Sequence, residues 1–449
     1  MNRRNFLFGA GVTIGSAVIC DAAMAFAYGL RASEMGLRPG GVDNQGRLLQ
    51  SILEKAALTN SPVFLEPGVY RVADVTLPKN TRLFGVKGAT QLEYAGGSHF
   101  IYAEDAKTIQ LEGLRFDGRL RPVKEYADGA VRISGAKDLT FRDCHISNAS
   151  TYGLFVERST GYIFNNMIEN ALGFGGLFAH ANMGLTISDN LVQDCANNGI
   201  MIYRWDRGED NTIVSGNRVR RIAAVKGGTG PHGNGINSYQ CDGVIINDNH
   251  VSDCAFSTIR SNSCSNIQIA NNTCLRAGET SIYSEFAFQG ANISGNIVDG
   301  AARGISIANL DHGGRLSVCA NNLVRNIHEN VPYDPEGHIF GAGILAEADI
   351  AITGNVIENT KRFGMLLGWG PYLKNLSASG NVINKTGAGF YVSVVDGIGA
   401  VSIKDNIITD AKRGGIIGHR WRDAVTGDMV KEGAKRFPTL DITGNTVNT

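Results

Sequence analysis

The sequence predicts an all-β fold, a single right-handed parallel β-helix of about 12 or more coils with an N-terminal capping helix. Three observations predict it. The motif apolar-x-apolar-x-x-Asn-x-Val/Ile recurs, from Ile163–Ile168 through Ile187–Val192, Val214–Val219 and Ile246–Val251 to Ile442–Val447. Its asparagines follow one another mostly at 22 to 27 residues, with longer steps from Asn217, Asn322 and Asn406. Each is followed by a second short element of the type Gly-Ile-x-apolar, such as Gly199-Ile200-Met201-Ile202. Both elements alternate with period two, as strands do, and a coil of this length has no room for a helix.

Taken in chain order, residues 1–27 read as a targeting segment. Arg3-Arg4 stands just ahead of an apolar stretch, Phe6 to Cys20, that is short for a bilayer span. Ala23-Met24-Ala25 and Ala25-Phe26-Ala27 are small-x-small cleavage candidates. This pattern predicts export through the twin-arginine machinery to the periplasm or medium, with no stable membrane span in the mature chain. Residues 28–61 form an N-terminal segment. Within it Leu48, Leu49, Ile52, Leu53 and Ala56 make a helical stripe suited to covering the open end of a first coil. From Pro62 to the C-terminus short strands take over, starting with Val63-Phe64-Leu65, Gly68 to Val72 and Thr81 to Val86.

The ladder positions are Asn166, Asn190, Asn217, Asn249, Asn272, Asn296, Asn322, Asn355, Asn381, Asn406 and Asn445, with Cys144 in an earlier copy. Stacked at about 4.8 Å, their amides can bond one another as in other asparagine ladders. Lys plus Arg equals Asp plus Glu at 42 each, so no basic surface points to nucleic acid. The 57 glycines lack a period of three and fit many tight turns. Seven cysteines follow the targeting segment without zinc spacing. Cys274 and Cys319 fall in apolar columns. Cys195 and Cys254 stand two coils apart. Cys241 and Cys264 share a column on adjacent coils, where a free pair is favoured and a bridge is left open.

The helix, Leu65-Glu66-Pro67-Gly68-Val69-Tyr70 and Leu83-Phe84-Gly85-Val86 resemble the N-terminal cap of the pectate-lyase-like superfamily, and the later copies resemble its generic repeat. With the targeting segment, the whole chain resembles the twin-arginine-translocated repeat proteins, a group without an assigned function. The resemblance implies the fold and, in the superfamily's enzymes, a substrate groove on the glycine-led strand face. It names no catalytic residue, because this fold carries many activities. The Asn-Thr-Asp, Asp-Asp and Gly-His-Gly pattern of galacturonases is absent, and Tyr333 to His338 only loosely resembles the Asp-Pro-His-Glu of mannuronan epimerases.

Counting each glycine as zero, positions two and four of that strand point outward. Five consecutive coils place His180, Tyr203, Asn237, Tyr239, Arg260, Asn262, Tyr283 and Glu285 there, with Trp205 and Trp369 at or just past the face and Glu347 further along. Two insertions, Lys226 to Asn234 and Asn326 to Ala342, open onto it. A third loop, Asn309 to His312, leaves between them. These residues suit sugars. Rings stack on pyranose faces, and an arginine neutralises a uronate carboxylate for a base or acid to act beside it. The expected catalytic set is Arg260, Tyr239, Glu285 and His232. The expected substrate-binding set is His180, Tyr203, Trp205, Asn237, Asn262, Tyr283, Asp311, His312, His338 and Glu347. Glu285 and Glu347, two coils or about 9.6 Å apart, approach the limit for an inverting pair. No cofactor is expected. Calcium is compatible, but no aspartate cluster on adjacent coils marks a site. The function expected is action on a polysaccharide, as lyase or hydrolase. The alternative is a non-catalytic carbohydrate-binding or envelope-structural β-helix.

Overall fold

The computed structural model describes residues 29–448 apart from Thr229 and Glu336. The proposed targeting segment, 1–27, lies outside the described residues. The chain winds as a parallel β-helix. One sheet stacks 16 strands, from Leu30–Arg31 to Leu440–Thr443, and a second sheet of 28 strands wraps the rest of each coil. The first sheet carries the strand before each ladder asparagine. The second carries the strand after it and then the glycine-led strand.

The register follows from the period-two pattern. Ile163, Ile187, Val214, Ile246, Ile269 and Ile293 pair in one inward column and are all fully buried. A slip of one residue would turn each outward, at about 1.5–3 kcal/mol per side chain. Cys319 continues this column, and Cys274 stands in the column of Val251 and Val298. All seven described cysteines are buried and free. The Cys241 amide donates to Cys264 Sγ at 3.3 Å, so the bridge left open by the sequence is not made.

The ladder explains why asparagine recurs. Asn190, for example, donates from both its backbone N and its Nδ2 to Asn217 Oδ1, at 3.0 and 2.9 Å, and from Nδ2 to the Ile163 carbonyl at 2.9 Å. The same bonds continue from Asn166 to Asn445. The residue just before each ladder asparagine adopts the left-handed conformation, as in Asp189 (φ 57), Asn271 (φ 57) and Gly295 (φ 67). Asp, Asn and Gly are the residues that tolerate it, hence the repeated Asp-Asn, Asn-Asn and Gly-Asn pairs.

An added element packs at each end of the stack. The helix Gly46–Leu58 buries Leu49, Ile52, Leu53 and Ala56 against the first coil. Asn44 Oδ1 ties its start to that coil by accepting from the Gly46 and Ala73 amides. A side chain at Gly46 would meet the Ala73 carbonyl at 2.0 Å, so only glycine permits this approach. At the far end Asp423–Asp428 runs antiparallel to Ile416–Arg420, followed by a short helix, Met429–Glu432. Asp428 there accepts from the Gly415 and Ile416 amides of the last glycine-led strand.

Candidate functional site

The glycine-led strands pair in the expected register. Met201, Asn237, Arg260 and Tyr283 form one outward column; Tyr203, Tyr239, Asn262 and Glu285 form the other. The structure divides these residues into two groups rather than one continuous cleft.

The first group is packed. Tyr203 is buried among Tyr152, Phe155, Phe178 and Met201, and Tyr239 packs on it at 5.4 Å between ring centroids. Asn237, with no exposed surface, donates from Nδ2 to Tyr203 Oη at 2.7 Å. The amide is thus tied to Tyr203 beneath the surface, although its Oδ1 has no hydrogen-bond partner there, and Asn237 does not line the cleft of the second group. Tyr239 Oη accepts from Gln240 at 2.8 Å. His180 bonds Glu157 at 2.9 Å, and with Arg158 and Arg132 it holds that carboxyl down to about 2. Trp205 is 64% exposed because the strand Asn198–Glu209 bulges between Tyr203 and Gly208 and carries the indole outward. His232 stacks on Phe174 at 5.4 Å, and burial, with the charge of Lys226 as the lesser cause, lowers the imidazole pKa. The insertion that carries His232 thus turns the ring away from Arg260 and Glu285, and neither His232 nor Tyr239 lines their cleft.

The second group lines a cleft of about 330 Å³. Arg260 and Glu285 form a buried ion pair, and Asn262 supports it by donating to Glu285 at 3.3 Å. Tyr283 and Phe286 line the same wall, and Gly230 and Pro231 of the first insertion and Tyr333, His338 and Phe340 of the second close the sides. Glu279 and Arg303 also belong to the lining. Sequence reasoning missed both. Glu279 is buried and close enough to Glu285 for that charge to raise its pKa further, although burial is the larger cause. Arg303 opposes that rise. Its guanidinium lies over the Phe340 ring at 4.8 Å and donates to the Ile339 carbonyl at 2.6 Å, fixing the second insertion. Burial also raises the Glu285 pKa, against the pull of Arg260. The Tyr283 hydroxyl is pushed up to about 12 by burial and stays protonated.

Asp311 and His312 bond one another at 3.1 Å, partly exposed, with His312 edge-on to Phe286. Glu347 is buried. It accepts from the Asn309 and Leu310 amides at 2.7 and 2.9 Å, which fixes the turn that holds Asp311. Its carboxylate is therefore engaged with that turn and does not line the cleft with Glu285. Among the described residues, no three His, Cys, Asp or Glu side chains converge as a metal ion would require. The cleft can exchange protons at two carboxyls, one of them held by Arg260, and offer a ring to an apolar face.

The family described as right handed beta helix region matches residues 93–219 and 129–326, together more than half of the chain. The catalytic unit of a GH87 α-1,3-glucanase from Streptomyces thermodiastaticus is similar in structure, with a TM-score of 0.52, 15% identity and coverage of 98% of this chain and 71% of that one. The N-terminal fragment of gene product 12 from bacteriophage Phi29 is similar at a TM-score of 0.50 and 15% identity, covering 89% of this chain and 70% of its own. The A-module of a mannuronan C-5 epimerase from Azotobacter vinelandii has a TM-score of 0.45 and 16% identity, covering 94% and 99%. Among curated proteins no sequence matches.

Proposed function

The chain belongs to the right-handed β-helix family, and on that premise we propose that it is an exported protein that hydrolyses a polysaccharide by acid–base chemistry in the Glu279–Glu285 cleft. The observation that carries this reading is the pair of desolvated carboxyls, Glu279 and Glu285, in one cleft with Tyr283 and Tyr333. Cleaving a glycosidic bond requires a proton for the leaving oxygen and a base for the attacking water. Burial raises both carboxyls, and Glu279 is the donor because among the described residues it forms no ion pair, Arg303 being engaged with the second insertion. Glu285, held by Arg260, is the carboxylate that accepts the proton of water. Phe286, half-buried in the same lining, presents its ring to the sugar. Elimination from a uronate is less well supported, since its carboxylate needs a free cation and Glu285 occupies Arg260. Arg3-Arg4 supports export by the twin-arginine route to the periplasm or medium.

Incubation of the purified protein with neutral and acidic polysaccharides should release reducing ends without the ultraviolet absorbance of unsaturated uronates. Glu279→Gln and Glu285→Gln should each lower turnover by about 10²–10⁴-fold without changing the circular dichroism spectrum. Because Glu279 must be protonated and its pKa is raised, turnover should fall as pH rises through that value. Full activity in both variants would move the chemistry elsewhere, with Asp311 and His312 next to be replaced. The closed Arg260–Glu285 pair also suits a rigid binding site, and a polysaccharide that is bound but never cleaved would favour that reading.

A further inference from the structure

A second cleft, of about 410 Å³, opens on the later coils of the same face. Its lining includes Gly337, His338, Arg362, Tyr391, Arg413 and Arg422. Its floor is a stack of rings, with Phe363 on Tyr391 at 4.2 Å and Tyr391 on His419 at 4.3 Å. Its walls are fixed. Tyr391 Oη donates to the Arg422 carbonyl at 2.9 Å, and Arg422 Nη2 donates to the Gly337 carbonyl at 2.6 Å. Trp421 packs edge-on to Trp369 at 5.8 Å, which holds the hairpin that bears Arg422.

The charges in this cleft are unbalanced. Arg362 is paired with Glu329 at 2.6 Å. Arg413 lies over the Tyr391 ring at 5.6 Å, and among the described residues no carboxylate forms an ion pair with it or with Arg422. Asp423 is the acidic residue among the described lining. Arg413 and Arg422 are both exposed to solvent and face one concavity with Asp423 as the acidic side chain of its described lining, so positive charge is in excess there, and an anion with paired oxygens can engage the guanidiniums through charge-assisted bonds. His338 lines this cleft and the first one, so the two adjoin across the second insertion. Along the outward column Tyr283, Ser306, Leu345, Leu366 and Tyr391 succeed one another, four coil steps or about 19 Å. A ligand that occupies both clefts at once must therefore be a chain of several linked units.

We infer that Arg413 and Arg422 form a distal subsite for an anionic glycan, so that a polysaccharide bearing carboxylate or sulfate groups lies along the axis with one segment in the Glu279–Glu285 cleft and another on these arginines. This deepens the proposed function and rests on it for the placement of the chain, but not for the binding of the anionic segment. Carboxylate and sulfate share the chemistry that the arginines read.

Calorimetric titration of the full chain with a galacturonate hexamer, a heparin-derived hexasaccharide and cellohexaose tests it. At least one acidic hexamer should bind, more weakly as salt rises, and the acidic hexamer that binds identifies the anion. Arg413→Ala and Arg422→Ala should each weaken that binding about tenfold, leaving any cellohexaose binding unchanged, and Arg413→Lys should restore part of the loss. Arg422 also holds the Gly337 carbonyl, so the Arg413 variants decide the matter if Arg422→Ala disturbs the insertion. Binding of an acidic hexamer that is unchanged in the Arg413 variants overturns the subsite while leaving hydrolysis in the first cleft standing. Wild-type preference for cellohexaose, or no binding of either acidic hexamer, also overturns it. Arginine-dependent binding by a chain that cleaves nothing supports the subsite and removes the catalytic reading alone.

Discussion

At the scale of single residues, the ladder asparagines were legible because they recur, whereas the acids of the cleft do not. Asn272 is bonded on every side. It accepts from Asn249 twice at 3.0 Å and donates from Nδ2 to Asn296 Oδ1 and the Ile246 carbonyl, both at 3.0 Å. Asn272→Ala strands these partners in a dry interior and should cost about 2–4 kcal/mol, read as a lower urea midpoint with an unchanged slope. Glu279 escaped sequence reasoning because the outward count began at the glycine position. It stands two residues before Ser281, which takes that position in its coil, and so shares the outward parity of Tyr283 and Glu285. Extending the count backwards would have reached it. Glu347 was legible as outward but not as a turn anchor, since its partners are backbone amides 37 and 38 residues away. Burial raises its pKa to about 7, against those two bonds. The folded state thus takes up a proton more readily than the unfolded chain. The associated stability is present below the unfolded carboxyl pKa and is lost as pH rises towards about 7. Glu347→Gln should flatten this part of the melting temperature's pH dependence and raise it relative to wild type above pH ~7, as scanning calorimetry would show.

At the scale of elements, every glycine-led strand fell in its expected register, because alternation and the inward isoleucines leave one arrangement that buries them. What the pattern does not encode is the direction each outward ring takes. Tyr239 and Asn262 share a column, yet Tyr239 packs back onto Tyr203 while Asn262 supports Glu285 on the next coil. The difference is local. The aromatic cluster around Phe178 and Tyr203 offers Tyr239 an apolar surface, and the Arg260–Glu285 pair offers Asn262 an acceptor. The insertions were legible as walls from their length alone, but not which side chains they would turn inward. Tyr333 and Phe340 face the cleft, whereas His232 faces Phe174. Loops have no period from which to read such orientations.

At the scale of the whole molecule, each coil is held by its neighbours, so the two ends are where the stack is vulnerable. The helix Gly46–Leu58 protects one of them. Leu53 is 2% exposed, and Leu53→Asp would bury an unpaired charge there. The expected outcome is a folded chain with a loosened first coil that self-associates through its uncovered strand edges, seen as higher-mass species by size-exclusion chromatography with light scattering. The ladder, too, acts over the full length. From Asn166 to Asn406 each side-chain amide sends one N–H to the oxygen of the next coil, while Nδ2 also donates back to a backbone carbonyl of the preceding one, so every Oδ1 faces the N-terminal side. Eleven side-chain dipoles are therefore aligned head to tail along the axis. Like the peptides of a long α-helix, they sum instead of cancelling, in contrast to the small net dipole of sheets. Their positive end points towards the C-terminal coils, the end that carries Arg413 and Arg422. The ladder thus contributes an axial polarity that a formal charge of zero does not reveal.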